Sequence, residues 1–347
     1  MTTHEFYMKR CIELAKNGLG TTYPNPLVGS VIVHDGKIIG EGWHKKAGEP
    51  HAEVNAVNSV KDKSLLKEAT IYVSLEPCSH FGKTPPCCDL IIANEIPNVV
   101  VGTVDPFAKV AGNGIKKLVE SGKNVTVGIL EDECNELNKR FFTFHQKQRP
   151  YIILKWAETA DGFISPISKE EKSPVWITNP YSRQLVHKWR TEEQAILVGT
   201  NTVLDDNPKL DARDFSGNNP IRIVLDKSGK ISENYHVKNN SQKTIFITES
   251  ENFISTENCI YENAIFDIHL ISSICDILYK NNIQSVIIEG GSKTLQSFID
   301  ANLWDEARVF KGDTTFQNGI LAPNISGNPV AGFDIMNDEL KIFKNYD

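Results

Sequence analysis

Long apolar runs and an excess of basic charge are both missing from this chain of 347 residues. No stretch of about 18 apolar residues occurs, so the sequence predicts no transmembrane helix. The net charge of -7 argues against a nucleic-acid partner, because such proteins usually carry a basic face that neutralises phosphates. The first residues, Met1 to Met8, lack a basic segment followed by an apolar one, and we do not expect secretion.

A disulfide framework is not indicated either. The chain has seven cysteines, an odd number, and two of them have the spacing of metal ligands. Both features fit a reducing compartment, so we expect a cytoplasmic protein. The remaining cysteines follow no pattern and are expected to be core or surface thiols: Cys11, Cys88, Cys134, Cys259 and Cys275.

What the sequence does contain is a group of zinc-ligand residues in two short segments. The first is His51-Ala-Glu53, and the second runs from Pro77-Cys78 to Cys87. One imidazole and two thiolates can hold Zn²⁺ and leave its fourth tetrahedral position open, as in catalytic sites. In zinc deaminases an acid in the position of Glu53 moves protons between water and a leaving amine. We predict zinc ligation by His51, Cys78 and Cys87 and catalysis by Glu53, in preference to a purely structural cluster.

The interval between the two cysteines is unusual. Eight residues separate Cys78 from Cys87, where the deaminase signature has two. An insertion beside the metal is expected to form part of the substrate pocket, and it carries His80 and Lys83.

Strands alternate with helices along the whole chain, which predicts two α/β domains. The first, residues 1–145, is expected to be an α/β/α sandwich with both metal segments at strand-to-helix junctions. Residues 145–150 are polar and end in proline, so they predict a linker. The second domain then covers residues 150–347.

In the second half, Glu289-Gly-Gly291 follows an expected strand and precedes a helix. Such a turn lets the backbone approach a phosphate, although a plain tight turn explains it equally well. Arg190 and Arg213 are candidate phosphate clamps or solvated surface charges. The aspartates of the expected loop 204–213 are interpreted as helix caps or as acceptors for a heterocycle. Together these features suggest an anionic, nucleotide-like ligand.

Several longer motifs point to one family. The first half contains Tyr23-Pro-Asn25-Pro-Leu-Val-Gly29, Gly42-Trp-His44 and Glu76-Pro-Cys78-Ser-His80-Phe-Gly-Lys83, and the second contains Trp176-Ile-Thr178 and Thr202-Val-Leu-Asp-Asp206. Over nearly its whole length the chain resembles the bifunctional riboflavin-biosynthesis family, a diaminohydroxyphosphoribosylaminopyrimidine deaminase fused to a 5-amino-6-(5-phosphoribosylamino)uracil reductase. The resemblance implies a cytidine-deaminase-like domain followed by a dihydrofolate-reductase-like domain.

The resemblance also implies cofactors, a substrate and site residues. The cofactors are Zn²⁺ and NADPH, the substrate is a phosphoribosyl aminopyrimidine, and the enzyme is a homodimer. The implied deaminase pocket is Asn25, His44, His80 and Lys83. The implied NADPH contacts are Glu158, Trp176, Thr202, Asp206, Gly291, Ser292, Lys293, Thr294 and Leu295. The implied contacts to the reductase substrate are Arg190, Leu210, Arg213 and Glu289.

Four positions depart from the family pattern: Glu158, Pro174, Asn207 and Lys227. Two other classes of protein stay open at this point. One is a nucleic-acid base deaminase with a binding appendage, which the acidic net charge disfavours. The other is a deaminase whose second half serves only for binding or oligomerisation.

Overall fold

The computed structural model describes residues 1–81, 85–106, 112–168 and 175–346. It divides into two compact units, Met1–Gln148 and Arg149–Asp347. Each of the five hydrophobic clusters draws all its residues from one unit. Both units combine helices with a sheet, which confirms the predicted α/β class. Within the described ranges, no helix has both the length and the apolar character needed to cross a bilayer.

The first unit contains one sheet with helices on both faces. Its strands are β1 (Gly29–His34), β2 (Lys37–Trp43), β3 (Thr70–Leu75), β4 (Asn98–Thr103) and β5 (Asn124–Val127). Its α-helices are α1 (Thr3–Ala15), α2 (Ala52–Ser59), α3 (Cys87–Ala93), α4 (Asn113–Glu120), α5 (Glu131–Leu137) and α6 (Lys139–Lys147).

Successive side chains along each strand point to opposite faces of this sheet. The strand order is β2-β1-β3-β4-β5, with β1 antiparallel to its neighbours and β3, β4 and β5 parallel. On β1, Ile32 packs with α2, α3 and α4, whereas Val31 packs with α1 and α5. A tight turn at Asp35-Gly36 joins β1 and β2 into a hairpin. Because β3 and β4 are parallel and their carboxyl ends meet at one edge, polar segments that follow them can form a site there.

The second unit is larger. Its strands are β6 (Tyr151–Glu158), β7 (Phe163–Pro166), β8 (Ala195–Gly199), β9 (Ile221–Leu225), β10 (Thr244–Thr248), β11 (Cys259–Asn263), β12 (Ser285–Gly290), β13 (Glu306–Lys311), β14 (Gly319–Leu321), β15 (Ala331–Ile335) and β16 (Asp338–Lys344). Its α-helices are α7 (Pro180–Glu192), α8 (Thr200–Asp206), α9 (Leu270–Lys280) and α10 (Ser292–Asp300).

The main sheet of this unit has the order β11-β10-β9-β8-β12-β6-β13-β16-β15. From β11 to β13 all neighbours are parallel, and β16 and β15 add an antiparallel edge. Most residues of β6, β8 and β12 are apolar, as expected for strands that are covered on both faces. A separate pair, β7 and β14, forms a small antiparallel sheet.

The structure differs from the sequence analysis at three local points. The polar segment expected as a linker at 145–150 is partly helical, since α6 extends to Lys147 and packs Phe144 and Phe141 inward. The segment expected as a loop from residue 204 begins inside α8, so Asp205 and Asp206 occupy a last helical turn and cap no helix N-terminus. Strands β7, β11 and β13 to β16 were not predicted, because most of them are short or contain several polar residues.

Candidate active sites

The helices α2 and α3 place the predicted metal ligands. His51 is the N-cap of α2, and Cys87 is the first residue of α3. A Cβ atom on Gly42 would lie 2.4 Å from the backbone nitrogen of Ala56, so only glycine lets α2 pack directly on β2. The start of α2, and with it the imidazole of His51, is therefore fixed against the sheet.

The three predicted ligands meet at one point. Nδ1 of His51 lies 3.6 Å from Sγ of Cys78 and 3.3 Å from Sγ of Cys87, and the three ligand atoms lie within 4.8 Å of one another. A tetrahedral Zn²⁺ with Zn–S bonds of about 2.3 Å and Zn–N bonds of about 2.0 Å separates sulfur from nitrogen by about 3.5 Å. The residues present therefore fit zinc, with Nδ1 as the imidazole ligand.

Charge at this cluster is concentrated on one thiolate. The hydrogen bond from Cys87 lowers the pKa of Cys78 to about 4, against the smaller effect of burial, and His51 adds to the lowering. The backbone N–H of Cys87 also donates to Sγ of Cys78, over 3.3 Å. A thiolate is the form that binds a metal, so Cys78 is prepared for ligation near neutral pH.

Glu53 lies in the first turn of α2 and is 3% exposed. Burial raises the pKa of its carboxyl group, and the negative charge at Cys78 raises it further. A carboxyl group in this position holds a proton more readily than an exposed glutamate, which suits a group that accepts and returns protons.

Two of the four predicted pocket residues contact each other beside the metal ligands. The ring of His44 lies 5.5 Å from that of His51, measured between centroids. Nδ1 of His44 is 3.2 Å from the carbonyl oxygen of Pro50, and its Nε2 is 3.0 Å from Nδ2 of Asn25. Since a carbonyl only accepts, Nδ1 carries the proton and Nε2 accepts from the Asn25 amide. Burial lowers the pKa of His44 and favours this neutral form.

The other two predicted pocket residues, His80 and Lys83, belong to the interval between the two cysteines. His80 is exposed, and it has no hydrogen-bond partner among the residues described. Lys83 lies outside the described residues, as does Pro174 of the second half.

The second unit contains a cavity of about 580 Å³ at the carboxyl ends of β6, β8, β9 and β12, a volume typical of cofactor sites. The first turn of α10, expected to approach a phosphate, forms part of its wall. Eleven of the predicted residues line it: Trp176, Thr202, Asp206, Gly291, Ser292, Lys293, Thr294, Leu295, Arg190, Arg213 and Glu289.

Two predicted residues do not lie on the cavity wall. The carboxylate of Glu158 accepts a hydrogen bond from Nε1 of Trp156 over 3.0 Å. Leu210 is 3% exposed and packs in an apolar cluster with Val203 and Val237. Leu210 faces the core because its side chain is apolar, and Glu158 turns to the indole N–H beside it.

Arg190 and Glu289 form a bidentate ion pair on this wall. Nε and Nη2 of Arg190 lie 3.0 and 2.6 Å from the two carboxylate oxygens, and Nη1 donates to the carbonyl oxygen of Asp211 over 2.9 Å. Three of the five N–H donors of Arg190 are thus engaged, and two remain for a ligand. Arg213 is less buried and pairs with the Asp211 carboxylate at 2.7 Å.

Sequence reasoning missed three cationic or titratable residues that line the cavity: Lys155, Arg183 and His187. Burial lowers the pKa of Lys155, and Glu289 opposes this shift in part. The sequence did contain an indication that Lys155 has a special role. It is the one charged residue within the apolar run from Tyr151 to Trp156, and a lysine is rarely buried without a reason. Arg183 stacks over the ring of Trp176 at 4.7 Å and donates to the carbonyl of Thr178.

Two family models match the chain. Residues 1–103 match the "cytidine and deoxycytidylate deaminase zinc-binding region", and residues 150–314 match the "RibD C-terminal domain". A riboflavin biosynthesis protein RibD from Aquifex aeolicus is 40% identical over 348 residues, which cover 97% of this chain and 93% of that protein.

Solved structures are similar over the same length. A diaminohydroxyphosphoribosylaminopyrimidine deaminase/5-amino-6-(5-phosphoribosylamino)uracil reductase from Thermotoga maritima has a TM-score of 0.89 and 39% identity, covering 99% of this chain and 98% of its own. RibD from Acinetobacter baumannii has a TM-score of 0.88 and 30% identity at the same coverage. Both halves match domains of an enzyme. The alternative in which the second half serves only for binding or oligomerisation is therefore rejected. The chain therefore belongs to the RibD family of riboflavin-biosynthesis proteins, with a zinc-binding deaminase domain followed by a reductase domain.

Proposed function

We propose that this chain carries out two successive reactions on one small molecule. The first is hydrolytic deamination of 2,5-diamino-6-ribosylamino-4(3H)-pyrimidinone 5′-phosphate. The second is NADPH-dependent reduction of the ribosyl side chain to a ribityl chain. The observation that carries the proposal is the His51, Cys78 and Cys87 cluster with a buried Glu53 beside it, in a chain that also holds a cavity of cofactor size.

In the deaminase, His51, Cys78 and Cys87 hold the metal, and Glu53 moves protons. Zn²⁺, when bound, lowers the pKa of water from 15.7 to about 7. Glu53 accepts one proton from the attacking water and delivers it to the ring nitrogen. It then takes the second proton from the new hydroxyl group and delivers it to the amino group, which leaves as ammonia. Its burial excludes bulk water from this transfer. Asn25 and His44, held by their mutual hydrogen bond, orient the pyrimidine ring.

His80 and Lys83 belong to the same pocket in this proposal. They lie in the interval between the cysteines, the feature that separates this chain from the shorter deaminase signature. A lysine there supplies a positive charge for the substrate phosphate.

In the reductase, NADPH supplies the hydride, and the protein orients both reactants. The residues Gly291 to Leu295 form the start of α10 at the cofactor phosphates, where the backbone N–H groups of the first turn lack partners within the helix. Trp176, Thr202 and Asp206 complete the cofactor wall. Arg190 and Arg213 bind the substrate phosphate, and Glu289 holds Arg190 in place. Lys155, with its lowered pKa, is placed to give a proton to the sugar oxygen.

The enzyme is also proposed to act as a homodimer in the cytoplasm, without nucleic acid. All seven cysteines lie in described residues and are free thiols, which supports a reducing compartment. The net charge of -7 supports the absence of a nucleic-acid partner.

The test measures ammonia release and NADPH oxidation by the full-length protein. Wild type should release ammonia from the diaminopyrimidine substrate and oxidise NADPH when given the deaminated product. Glu53→Gln should slow ammonia release by about 10²-fold or more, the contribution expected of general acid–base catalysis. NADPH oxidation by that variant should be unchanged. The exposed Glu68→Gln serves as the control.

Full ammonia release by Glu53→Gln contradicts the role of Glu53. Absence of NADPH oxidation by wild type with the deaminated product contradicts the reductase half.

A further inference from the structure

The Cys78 ligand lies on a segment without regular structure. His51 and Cys87 each lie at the start of a helix, whereas Cys78 follows the end of β3 and precedes the interval that leads to α3. Its own backbone belongs to no helix or strand. Since zinc ligation needs sulfur positions correct to a few tenths of an ångström, something else must fix this segment.

The side chain of Glu76 contacts four backbone N–H groups. Glu76 is 4% exposed. Its Oε1 accepts from Gly114 over 2.8 Å and from Ile115 over 3.3 Å, and its Oε2 accepts from Gly112 over 2.9 Å and from Asp105 over 3.3 Å. The zinc chemistry proposed above makes no use of this buried carboxylate.

Two of these donors belong to the first turn of α4, where backbone N–H groups lack partners within the helix. A negative charge there also complements the helix dipole. Glu76, two positions before the ligand Cys78, is thus bound to the N-terminal end of α4. Both of its carboxylate oxygens accept hydrogen bonds.

Further contacts hold the residue between Glu76 and Cys78. A Cβ atom on Gly114 would lie 2.1 Å from the carbonyl oxygen of Pro77, so α4 packs directly on that peptide. Sγ of Cys88, the second residue of α3, lies 3.3 Å from the same oxygen and donates to it. The backbone N–H of Cys88 donates to the carbonyl of Cys78 over 3.1 Å. The segment is therefore held by α3 and α4 together.

We propose that Glu76 is a positioning residue for zinc: its carboxylate fixes Pro77 and Cys78 against α4 and so places the Cys78 sulfur relative to His51 and Cys87. Glu76 touches neither metal nor substrate. The inference rests on the proposed function of this cluster as a zinc site.

The test replaces Glu76 in the full-length, zinc-loaded protein. Glu76→Gln keeps the shape but turns one acceptor into an NH₂ group that faces backbone donors. Three measurements follow: the rate of Zn²⁺ release to a chromogenic chelator, the thiolate charge-transfer and d–d bands of the Co²⁺-substituted protein, and kcat and KM of the deaminase. Glu120→Gln, exposed at the other end of α4, is the matched control.

Zinc release from Glu76→Gln should be about tenfold faster, as for other groups that orient metal ligands indirectly. The Co²⁺ bands should shift, and kcat should fall more than KM rises. The reductase rate, measured in the same sample, should not change. Gly114→Ala should show the same pattern, because its methyl group would displace the carbonyl of Pro77 and press on Oε1 of Glu76 as well.

A lower melting temperature with unchanged zinc release and unchanged Co²⁺ bands overturns the proposal and leaves Glu76 a purely structural residue. If Glu76→Gln does not fold, Gly114→Ala decides by the same criteria. A wild-type protein that binds no zinc or releases no ammonia contradicts the proposed function itself, before any variant is compared.

Discussion

At the scale of single residues, the Arg190–Glu289 pair shows how burial and charge compete. Burial alone would raise the pKa of Glu289, but the charges of Arg190 and Lys155 and the hydrogen bonds from Arg190 outweigh it and lower this pKa to about 2. Both side chains are nearly inaccessible, with 12% and 8% exposure. The pair therefore stays charged at physiological pH, and either partner alone would be a buried, uncompensated charge.

The first prediction concerns this pair. Glu289→Gln should destabilise the reductase unit by about 3–5 kcal/mol at pH 7, because Arg190 loses its partner. The lowered pKa of Glu289 stabilises the folded protein above its ordinary value of 4.5, and this contribution is lost as pH falls toward about 2. The free energy of unfolding, measured in urea, should thus differ less between wild type and variant at pH 3 than at pH 7.

Asp211→Asn is the matched control, since its partner Arg213 is 41% exposed. A pair of this kind is worth at most about 1 kcal/mol. The account is contradicted if the free energy of unfolding of Glu289→Gln differs from that of wild type by the same amount at pH 3 and at pH 7.

At the scale of elements, the junction of α5 and α6 holds the segment that carries Asn25. Oδ1 of Asn138 accepts from the backbone N–H of Leu27 over 2.8 Å, and its Nδ2 donates to the Leu27 carbonyl over 2.9 Å. Asn138 is 2% exposed. The side chain of Asn138 thus bonds both the N–H and the carbonyl of Leu27, 111 positions away. It gives Leu27 the two hydrogen bonds that a neighbouring strand would otherwise supply.

We predict that Asn138→Ala weakens both stability and substrate binding in the deaminase. Two buried backbone groups of Leu27 lose their partners, which costs about 2–4 kcal/mol in total. Because Asn25 is two residues from Leu27, the deaminase KM should also rise. Asn138→Asp keeps the acceptor but places a second oxygen against the Leu27 carbonyl at a buried position, so its effect should be at least as large. Thermal unfolding and initial rates measure these changes.

Asn124→Ala provides the comparison. Its amide bonds to Asn98 at an exposed position, and its loss should cost less than about 0.5 kcal/mol. An unchanged KM in Asn138→Ala would show that Asn25 is held by other contacts.

At the scale of the whole molecule, two units with separate cores each contain one site. The predicted zinc ligands lie in Met1–Gln148, and the cavity lies in Arg149–Asp347. Since no hydrophobic cluster in the described residues draws members from both units, each core is formed by its own half of the chain.

Removal of zinc should therefore separate the two activities. Chelation should abolish ammonia release, while NADPH oxidation with the deaminated product should keep its rate. Added Zn²⁺ should restore the deaminase. The measurement is both assays on one chelated sample, with an EDTA-free mock treatment as the control. A parallel loss of NADPH oxidation would mean that the reductase depends on the metal or on the folded state of the deaminase.

The sequence by itself determined the chemistry of the first site. His51, Glu53, Cys78 and Cys87 were recognisable because zinc restricts both ligand type and order, and the structure brings the three ligand atoms together. Short apolar runs likewise indicate the buried strands β6, β8, β9, β10 and β12, since a strand covered on both faces must be largely apolar.

Only the tertiary structure decided which side chains surround those ligands and strands. Glu76, Asn138 and Lys155 act through partners far away in the sequence, and their contacts depend on where chain segments pass each other in the fold. The antiparallel strands β15 and β16 escaped prediction because pairing, and not their own residue pattern, makes them strands. Glu158 and Leu210 lie off the cavity wall for the same reason, since their neighbours, an indole N–H and an apolar cluster, were not visible in the sequence.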